Sequence, residues 1–263
     1  MAESLPAGSL FDLSGQVVLV TGASSGVGLA IAQACAAHGA AVALAGIDGA
    51  GCEREAQRLH AAGHSTLSIA CDVADPGQCL RAVDLVLERF GRIDTLVSNA
   101  GIEGPVGPIA QAGEFAWRKV LDVNLMGAAW LAGQAIPHMA AQGGGSVMLV
   151  ASIAGLRGNK AIGPYGVSKA ALIQLARNLA VEWGPQGVRA NAICPGLIRT
   201  PFAQDLMANE AFMSRRMAAT PLRRAGEPHE VAGVAVMLAS RAGAFITGQA
   251  LVVDGGTLIS DGN

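Results

Sequence analysis

The chain has 263 residues, 51% of them hydrophobic and only 14% charged, with a net charge of −2 at neutral pH. That is ample apolar material for a large core, and the basic runs are short pairs such as Arg215-Arg216 and Arg223-Arg224, so nucleic acid is not an expected partner. No run of about 18 apolar residues occurs, and Met1 to Gly15 lacks the apolar core of a signal peptide, so no membrane association is expected and the expected compartment is the cytoplasm.

Gln16 to Val20 is a continuous apolar run, the pattern of a parallel strand buried on both faces. Thr21 to Gly28 is a glycine-rich turn, and Val27 to Ala37 reads as a helix closed by His38-Gly39. A second strand is expected over Ala41 to Ala45, a more polar helix over Cys52 to Ala62, and a third strand over Thr66 to Cys71. Pro76 opens a helix that runs to Phe90 and closes at Gly91. Ile93 to Ser98 is a fourth strand, followed by a Gly/Pro-bearing loop and one long helix over Phe115 to Ala140 with a kink expected around Pro137. Ser146 to Val150 is the fifth strand, Tyr165 to Trp183 a helix, and Val188 to Ile193 the sixth strand. After a stretch at 197–226 that reads as irregular or short-helical come a helix, Glu227 to Ala239, and a last strand, Ala250 to Val253.

Strands and helices alternating at this spacing predict an α/β fold: a doubly wound, parallel, seven-stranded sheet with helices on both faces. No linker or composition break divides the chain, so one domain is expected over residues 1–263, with an N-terminal tail at 1–14. The five cysteines (Cys35, Cys52, Cys71, Cys79, Cys194) lack a Cys-x-x-Cys pair and read as buried, reduced thiols. The five histidines fall in no metal-ligand spacing, so no catalytic metal is expected. Sparse surface charge points to covered surface, and hence to a homo-oligomer.

Two segments carry chemistry. The turn Thr21-Gly22-Ala23-Ser24-Ser25-Gly26-Val27-Gly28 joins the first strand to the first helix, where a dinucleotide pyrophosphate binds in Rossmann-type sheets. Glycines let the backbone approach the phosphates, and the helix N-terminus offers free N–H groups and a favourable dipole. No Gly-Lys-Ser/Thr follows, so it is not a P-loop. Gly22 to Gly26 also matches the nucleophile elbow of serine hydrolases, with Ser24 as nucleophile and Asp205 and His229 as nominal partners. However, an elbow follows several strands, and this serine follows the first.

The second segment is Tyr165-Gly166-Val167-Ser168-Lys169. Tyr165 is the sole tyrosine and Lys169 one of three lysines. Spaced i,i+4, they share a helix face. A cation there is expected to lower the phenol pKa towards neutrality, although spacing alone is weak evidence of function.

With these two segments in place, the chain resembles the short-chain dehydrogenase/reductase family from about Asp12 to Gly256. The resemblance rests on an ordered set: Thr21-Gly22-x-x-x-Gly26-x-Gly28, Asp72-Val73, Asn99-Ala100-Gly101, Asn124, Ser152, Tyr165-x-x-x-Lys169, Pro195-Gly196 and Thr200. It implies hydride transfer between a nicotinamide dinucleotide and a ketone or secondary alcohol. Tyr165 would be the general acid/base, Lys169 would tune it and hold the nicotinamide ribose, Ser152 would orient the substrate oxygen, and Asn124 would hold a water in a proton relay. Gly22, Ser24, Ser25, Gly26, Val27 and Gly28 would cradle the pyrophosphate. Asp72 and Val73 would meet the adenine, and Asn99, Ala100 and Gly101 the adenosine ribose. Pro195, Gly196, Ile198 and Thr200 would hold the carboxamide. The family commonly forms tetramers, so a homotetramer is implied. The competing reading is a relative that binds the cofactor as a sensor without turnover.

Departures from the family pattern carry information. The second strand ends at Gly46, where an NAD-preferring member usually has an acidic residue, and Ile47 and Ser25 stand where an NADP-preferring member usually has a cation. Asp48 lies two residues on, so NAD is favoured, with NADP as the alternative. Ser98 replaces the first asparagine of the Asn-Asn-Ala-Gly pattern, and Gly163-Pro164 precedes Tyr165 where acyl-carrier-protein reductases often show Gln-x-Asn, which disfavours that substrate class. The substrate pocket is expected from residues 102–106, 153–164 and 197–217, including Ile102, Ile153, Ala154, Ile162, Leu197, Phe202 and Met207. The segment 197–226 reads as an apolar lid over a substrate with an apolar body, rings included.

Overall fold

The protein is described from a computed structural model covering residues 9–260. Seven parallel strands form one sheet: β1 (Val17–Thr21), β2 (Ala41–Gly46), β3 (Thr66–Ala70), β4 (Thr95–Ser98), β5 (Gly145–Val150), β6 (Val188–Pro195) and β7 (Ala250–Val253). Their order is β3-β2-β1-β4-β5-β6-β7, so the winding reverses between β1 and β4. Ligands of open α/β sheets bind at that reversal, beyond the carboxyl ends of the strands.

The longer helices are α1 (Gly26–Ala37), α2 (Gly49–Ala61), α3 (Pro76–Phe90), α4 (Glu114–Leu121), α5 (Gly127–Ala141) and α6 (Pro164–Trp183). They are followed by α7 (Gln204–Ala208), α8 (Glu210–Ala218) and α9 (Pro228–Ala239). The strand pleat sends alternate side chains to opposite faces. Thus Val17 and Leu19 join the core under α3, α5 and α6, while Val18 and Val20 join the one under α1 and α9. A sheet covered on both faces explains why its strands read as unbroken apolar runs rather than alternating ones.

Two expectations need correction. The long helix expected over Phe115 to Ala140 is interrupted, but not at Pro137, which sits inside α5. The interruption is one π-helical turn, Asp122–Met126, between α4 and α5, and it carries the buried Asn124. The tail expected at 1–14 is docked from residue 9 onward: Leu13 is fully buried and its N–H donates to the His38 carbonyl at 2.9 Å. Residues 1–8 of that tail lie outside the described residues. The stretch at 197–226, expected to be irregular or short-helical, does hold two short helices, α7 and α8, the second capped by Asn209, whose side chain accepts from Phe212 N.

Candidate active site

At the reversal between β1 and β4, Thr21 and Asn99 lock the two strand ends together. Asn99 Nδ2 donates to the carbonyls of Thr21 (2.9 Å) and Gly22 (3.2 Å), while Thr21 Oγ1 accepts from the amides of Asn99 (3.1 Å) and Ala100 (3.2 Å). The turn that follows needs two glycines for distinct reasons. Gly22 has a φ of +64°, which disfavours any side chain. Gly28 could carry no Cβ, because that atom would lie 2.3 Å from the Gly22 carbonyl oxygen. At the head of α1, Ser25 forms no side-chain capping bond. Free amides at a helix N-terminus, reached over a backbone stripped of side chains, fit a dinucleotide pyrophosphate.

A cleft of about 370 Å³ opens there. Its first wall is the turn, with Gly22, Ser24, Ser25, Gly26 and Val27, together with Asn99, Ala100 and Gly101 from the end of β4. Pro195, Gly196, Ile198 and Thr200 beyond β6 form its floor. The second wall carries Ser152, Tyr165 and Lys169. Of the seven residues expected to bind substrate, Ile153, Ala154, Ile162, Leu197 and Phe202 line the cleft.

Ser152 follows β5 in extended conformation, its hydroxyl accepts from Ala154 N at 3.1 Å, and it stands near enough to Tyr165 to act on that phenol. Tyr165 begins α6, with its ring 6.2 Å from that of Phe202. Lys169, one turn on, is buried; its Nζ donates to the Val150 carbonyl at 2.7 Å and lies 5.6 Å from the centre of the Tyr165 ring. Burial pushes Lys169 down to about 8, opposed by the neighbouring Cys194. Burial pushes Tyr165 up to about 12; the Ser152 bond pulls the other way and the charge of Glu103 adds to the rise. The expectation that Lys169 lowers the Tyr165 pKa is therefore not met in the protein alone. Desolvation of the phenolate is the largest cause, and the charge of Lys169 is itself disfavoured by burial.

Asn124 does not reach the cleft. Its Oδ1 accepts from Ile102 N at 2.8 Å, and its Nδ2 donates to Ile102 O at 2.9 Å and Ser168 Oγ at 3.0 Å. Ser168 Oγ in turn donates to the Tyr165 carbonyl at 2.7 Å. The asparagine thus joins the π turn to the strand-β4 loop and to the first turn of α6. Ile102, expected in the substrate pocket, is the other half of this clamp, and neither it nor Met207 lines the cleft.

Three residues expected at the adenosine end lie off the cleft. Asp48 caps α2, its Oδ1 accepting from Gly51 N at 2.9 Å. Asp72 Oδ1 accepts from Ala74 N at 2.9 Å. Val73 is buried, packed where a Cβ on Gly127 would lie 2.8 Å from its own Cβ. Four polar or charged residues of the lining, Glu103, Arg157, Asn159 and Arg216, fall within the segments expected to build the substrate pocket but were not singled out there. Burial and the charge of Asp205 raise the pKa of Glu103.

Among the described residues, no group of three or more His, Cys, Asp or Glu is disposed to hold a metal ion, and no helix is long and apolar enough to cross a membrane. Comparison with known proteins agrees with the cleft. A family model described as enoyl-(acyl carrier protein) reductase matches residues 22–257. Dehydrogenase/reductase SDR family member 4 of Oryctolagus cuniculus is 38% identical over 93% of this chain and 94% of its own. Cis-4-hydroxycyclohexanecarboxylate dehydrogenase of Sinomonas cyclohexanicum is 38% identical over 92% and 96%. Among solved structures, a 7α-hydroxysteroid dehydrogenase complexed with NADH and 7-oxo glycochenodeoxycholic acid superposes with a TM-score of 0.92 at 29% identity, covering 96% of this chain and 98% of that one. A gluconate 5-dehydrogenase from Burkholderia cenocepacia, with NADP and tartrate, gives 0.93 at 32%, covering 97% and 100%. A nicotinamide cofactor is common to both structures. On fold, motif order and these matches, the chain belongs to the short-chain dehydrogenase/reductase family of NAD(P)-dependent oxidoreductases.

Proposed function

We propose that this protein is a single-domain oxidoreductase that interconverts a ketone and a secondary alcohol, with NAD favoured over NADP. One observation carries the reading: Ser152, whose hydroxyl acts on the Tyr165 phenol and lowers its pKa, lines with Tyr165 and Lys169 the same cleft as the uncapped head of α1. The nicotinamide supplies or accepts the hydride when bound. Gly22, Ser24, Ser25, Gly26 and Val27 hold the pyrophosphate, and Pro195, Gly196, Ile198 and Thr200 hold the nicotinamide end. Asp72, Asn99 and Ala100 serve the adenosine, the first through its second carboxylate oxygen. Gly28 and Val73 act by packing.

In reduction, Tyr165 Oη delivers its proton to the carbonyl oxygen as negative charge develops there, and Ser152 Oγ donates a hydrogen bond to the same oxygen. A phenol kept protonated by burial is suited to this acid role. Lys169 lies one turn along the same helix and resupplies the proton; its pKa near 8 permits exchange near neutral pH. Asn124 fixes the start of α6 through Ser168 and the loop at Ile102, which holds Tyr165 in register with Ser152.

Sparse positive charge at the adenosine end supports NAD, since neither Ile47 nor Ser25 can pair with a 2′-phosphate and Asp48 would repel it. The relatives act on ring and chain alcohols by name, which supports an alcohol or ketone with an apolar, cyclic body facing Ile153, Ile162, Leu197 and Phe202. Gly163-Pro164 ahead of Tyr165 argues for a small molecule rather than an acyl carrier protein. The exposed Phe115 and Val181 support a homotetramer, and the buried free thiols support a cytoplasmic home.

The sensor reading would gain from loss of any of Asn124, Ser152, Tyr165 or Lys169; all four are present. The hydrolase reading fails to gather its parts, because neither Asp205 nor His229 lines the cleft with Ser24. A panel of cyclic ketones and alcohols, assayed with both cofactors, tests the proposal. Turnover with NAD that vanishes in Tyr165→Phe supports it, and an active Tyr165→Phe enzyme defeats it.

A further inference from the structure

The lining of the cleft includes two guanidinium groups that the reaction chemistry does not use. Arg157 extends from the loop after Ser152, and Arg216 from α8; both are half-buried and both line the cleft. Neither makes an ion pair among the described residues, although six other arginines do. Arg157 Nη1 donates a single long bond to the Thr257 carbonyl at 3.3 Å. Arg216 has its guanidinium over the Phe212 ring, 5.3 Å from its centre, and no side-chain hydrogen bond among the described residues. The nearby acid is Asp254, whose two oxygens accept from the backbone amides of Gly256 (2.8 Å) and Leu258 (2.6 Å).

The two segments are tied together around Thr257. Thr220 Oγ1 donates to the Arg216 carbonyl at 2.8 Å and lies 2.9 Å from Thr257 Oγ1, and the Thr257 carbonyl receives Arg157. Asn159 braces the Arg157 loop, with its Nδ2 donating to the Arg157 carbonyl at 2.9 Å. The two cations are close enough for Arg157 to depress the pKa of Arg216, an effect second to burial and opposed by the charge of Asp254. Placing two like charges together at the margin of a partly desolvated cleft is costly unless an anion sits between them. Planar guanidinium groups with unused donors match a carboxylate in two-point fashion.

We propose that Arg157 and Arg216 anchor the carboxylate of a keto or hydroxy acid, so that the physiological substrate is an anion bound by its end remote from the reacting carbon. This rests on the ketone/alcohol reading above and narrows it. At the reacting end Tyr165 is flanked by the acid Glu103 and the buried Lys169, so Arg157 and Arg216 are the cations of the lining left to meet a carboxylate.

The test is a matched pair, 4-oxocyclohexanecarboxylate and its methyl ester, assayed with NADH and NADPH. The wild-type kcat/KM is expected to favour the acid by about 100-fold, the discrimination given by two charge-assisted hydrogen bonds. Arg216→Met and Arg157→Met should each collapse that acid-to-ester ratio by about 10-fold or more, and Arg216→Lys should retain part of it. An acid-to-ester ratio near one in the wild type, or a ratio unmoved in both folded methionine variants, overturns the proposal. If neither compound is turned over with either cofactor, the oxidoreductase reading fails separately. The anchor is then judged by calorimetric titration of cyclohexanecarboxylate: binding lost in Arg216→Met supports it, and no binding to the wild type overturns it. Melting curves for each variant identify any that fail to fold, and the wild-type ratio and titration decide the matter without them.

Discussion

The Lys169 ammonium donates to the Val150 carbonyl across 2.7 Å, joining α6 to the end of β5 inside the protein. That bond holds a charge where the interior disfavours one. The folded pKa, about 8, lies below the ordinary 10.5, so the stability contributed by this titration is present above pH 10.5 and is lost as pH falls through 8. A tenfold change in proton affinity is worth roughly 1.4 kcal/mol, so at pH 7 the full cost of about 3 kcal/mol applies. The lost bond to Val150 offsets about 1 kcal/mol of this. Lys169→Met is therefore expected to be inactive yet more stable at pH 7 by about 1–2 kcal/mol, with the gain shrinking between pH 8 and 10.5. Urea midpoints at about pH 7 and pH 10 check this, and a variant less stable than wild type at neutral pH refutes it.

Tyr165 is the sole tyrosine, so ultraviolet absorbance of tyrosinate reports one residue. In the protein alone the phenol should titrate well above 10, near 12. An inflection at or below 10 would mean that Lys169 outweighs burial. Tyr165→Phe should lower kcat by about 10²–10⁴-fold, the range of general acid–base catalysis, with cofactor affinity changed little.

Asn124→Ala removes three side-chain bonds and strands the amide and carbonyl of Ile102. We expect a loss of about 2–4 kcal/mol in stability, because buried backbone groups are left unpaired. The residual enzyme should show a lower kcat with a smaller change in KM, since the start of α6 that carries Tyr165 is released while the apolar lining is not. Ser168→Ala breaks only one of those bonds and should cost less, about 1 kcal/mol. Thermal melts and steady-state kinetics on both variants measure this.

Ile47 is 79% exposed at the end of β2, so an arginine there meets no packing penalty. Ile47→Arg is expected to raise the NADPH-to-NADH ratio of kcat/KM by about 10-fold or more, from one charge-assisted contact to the 2′-phosphate. Asp48→Ser should move the ratio the same way but destabilise α2, whose N-cap it is, by a few tenths of a kcal/mol. An unchanged ratio in Ile47→Arg would place the ribose elsewhere.

Much of the fold was legible because buried parallel strands and capped helices leave plain local signals. Pro76 to Phe90 and Ala250 to Val253 fall where the sequence places them. The π turn was not legible. It follows from hydrogen bonds between Asn124 and groups 22 and 44 residues away, and no local pattern encodes these. The cleft residues around Tyr165 and the glycine turn were readable as ordered motifs. Arg157 and Arg216 lie in segments expected to build the substrate pocket but were not singled out: one sits in a loop, and the other belongs to the Arg215-Arg216 pair in a segment read for its apolar residues as lid. The phenylalanine four residues before Arg216, one turn away on a helix, was the available hint.

Asn99 also has a bearing on when the cleft comes into being. Its side chain grips residues 77 and 78 positions earlier in the chain, across the junction at which the sheet reverses its winding. Pairing at such separation is slow, because loop closure precedes any reward. The strands β1, β2 and β3 can associate first, but the glycine turn acquires its far wall only once β4 has docked. Nucleotide affinity during refolding should therefore emerge late, after most helical signal has returned, which makes cofactor fluorescence a clock for completion of the sheet.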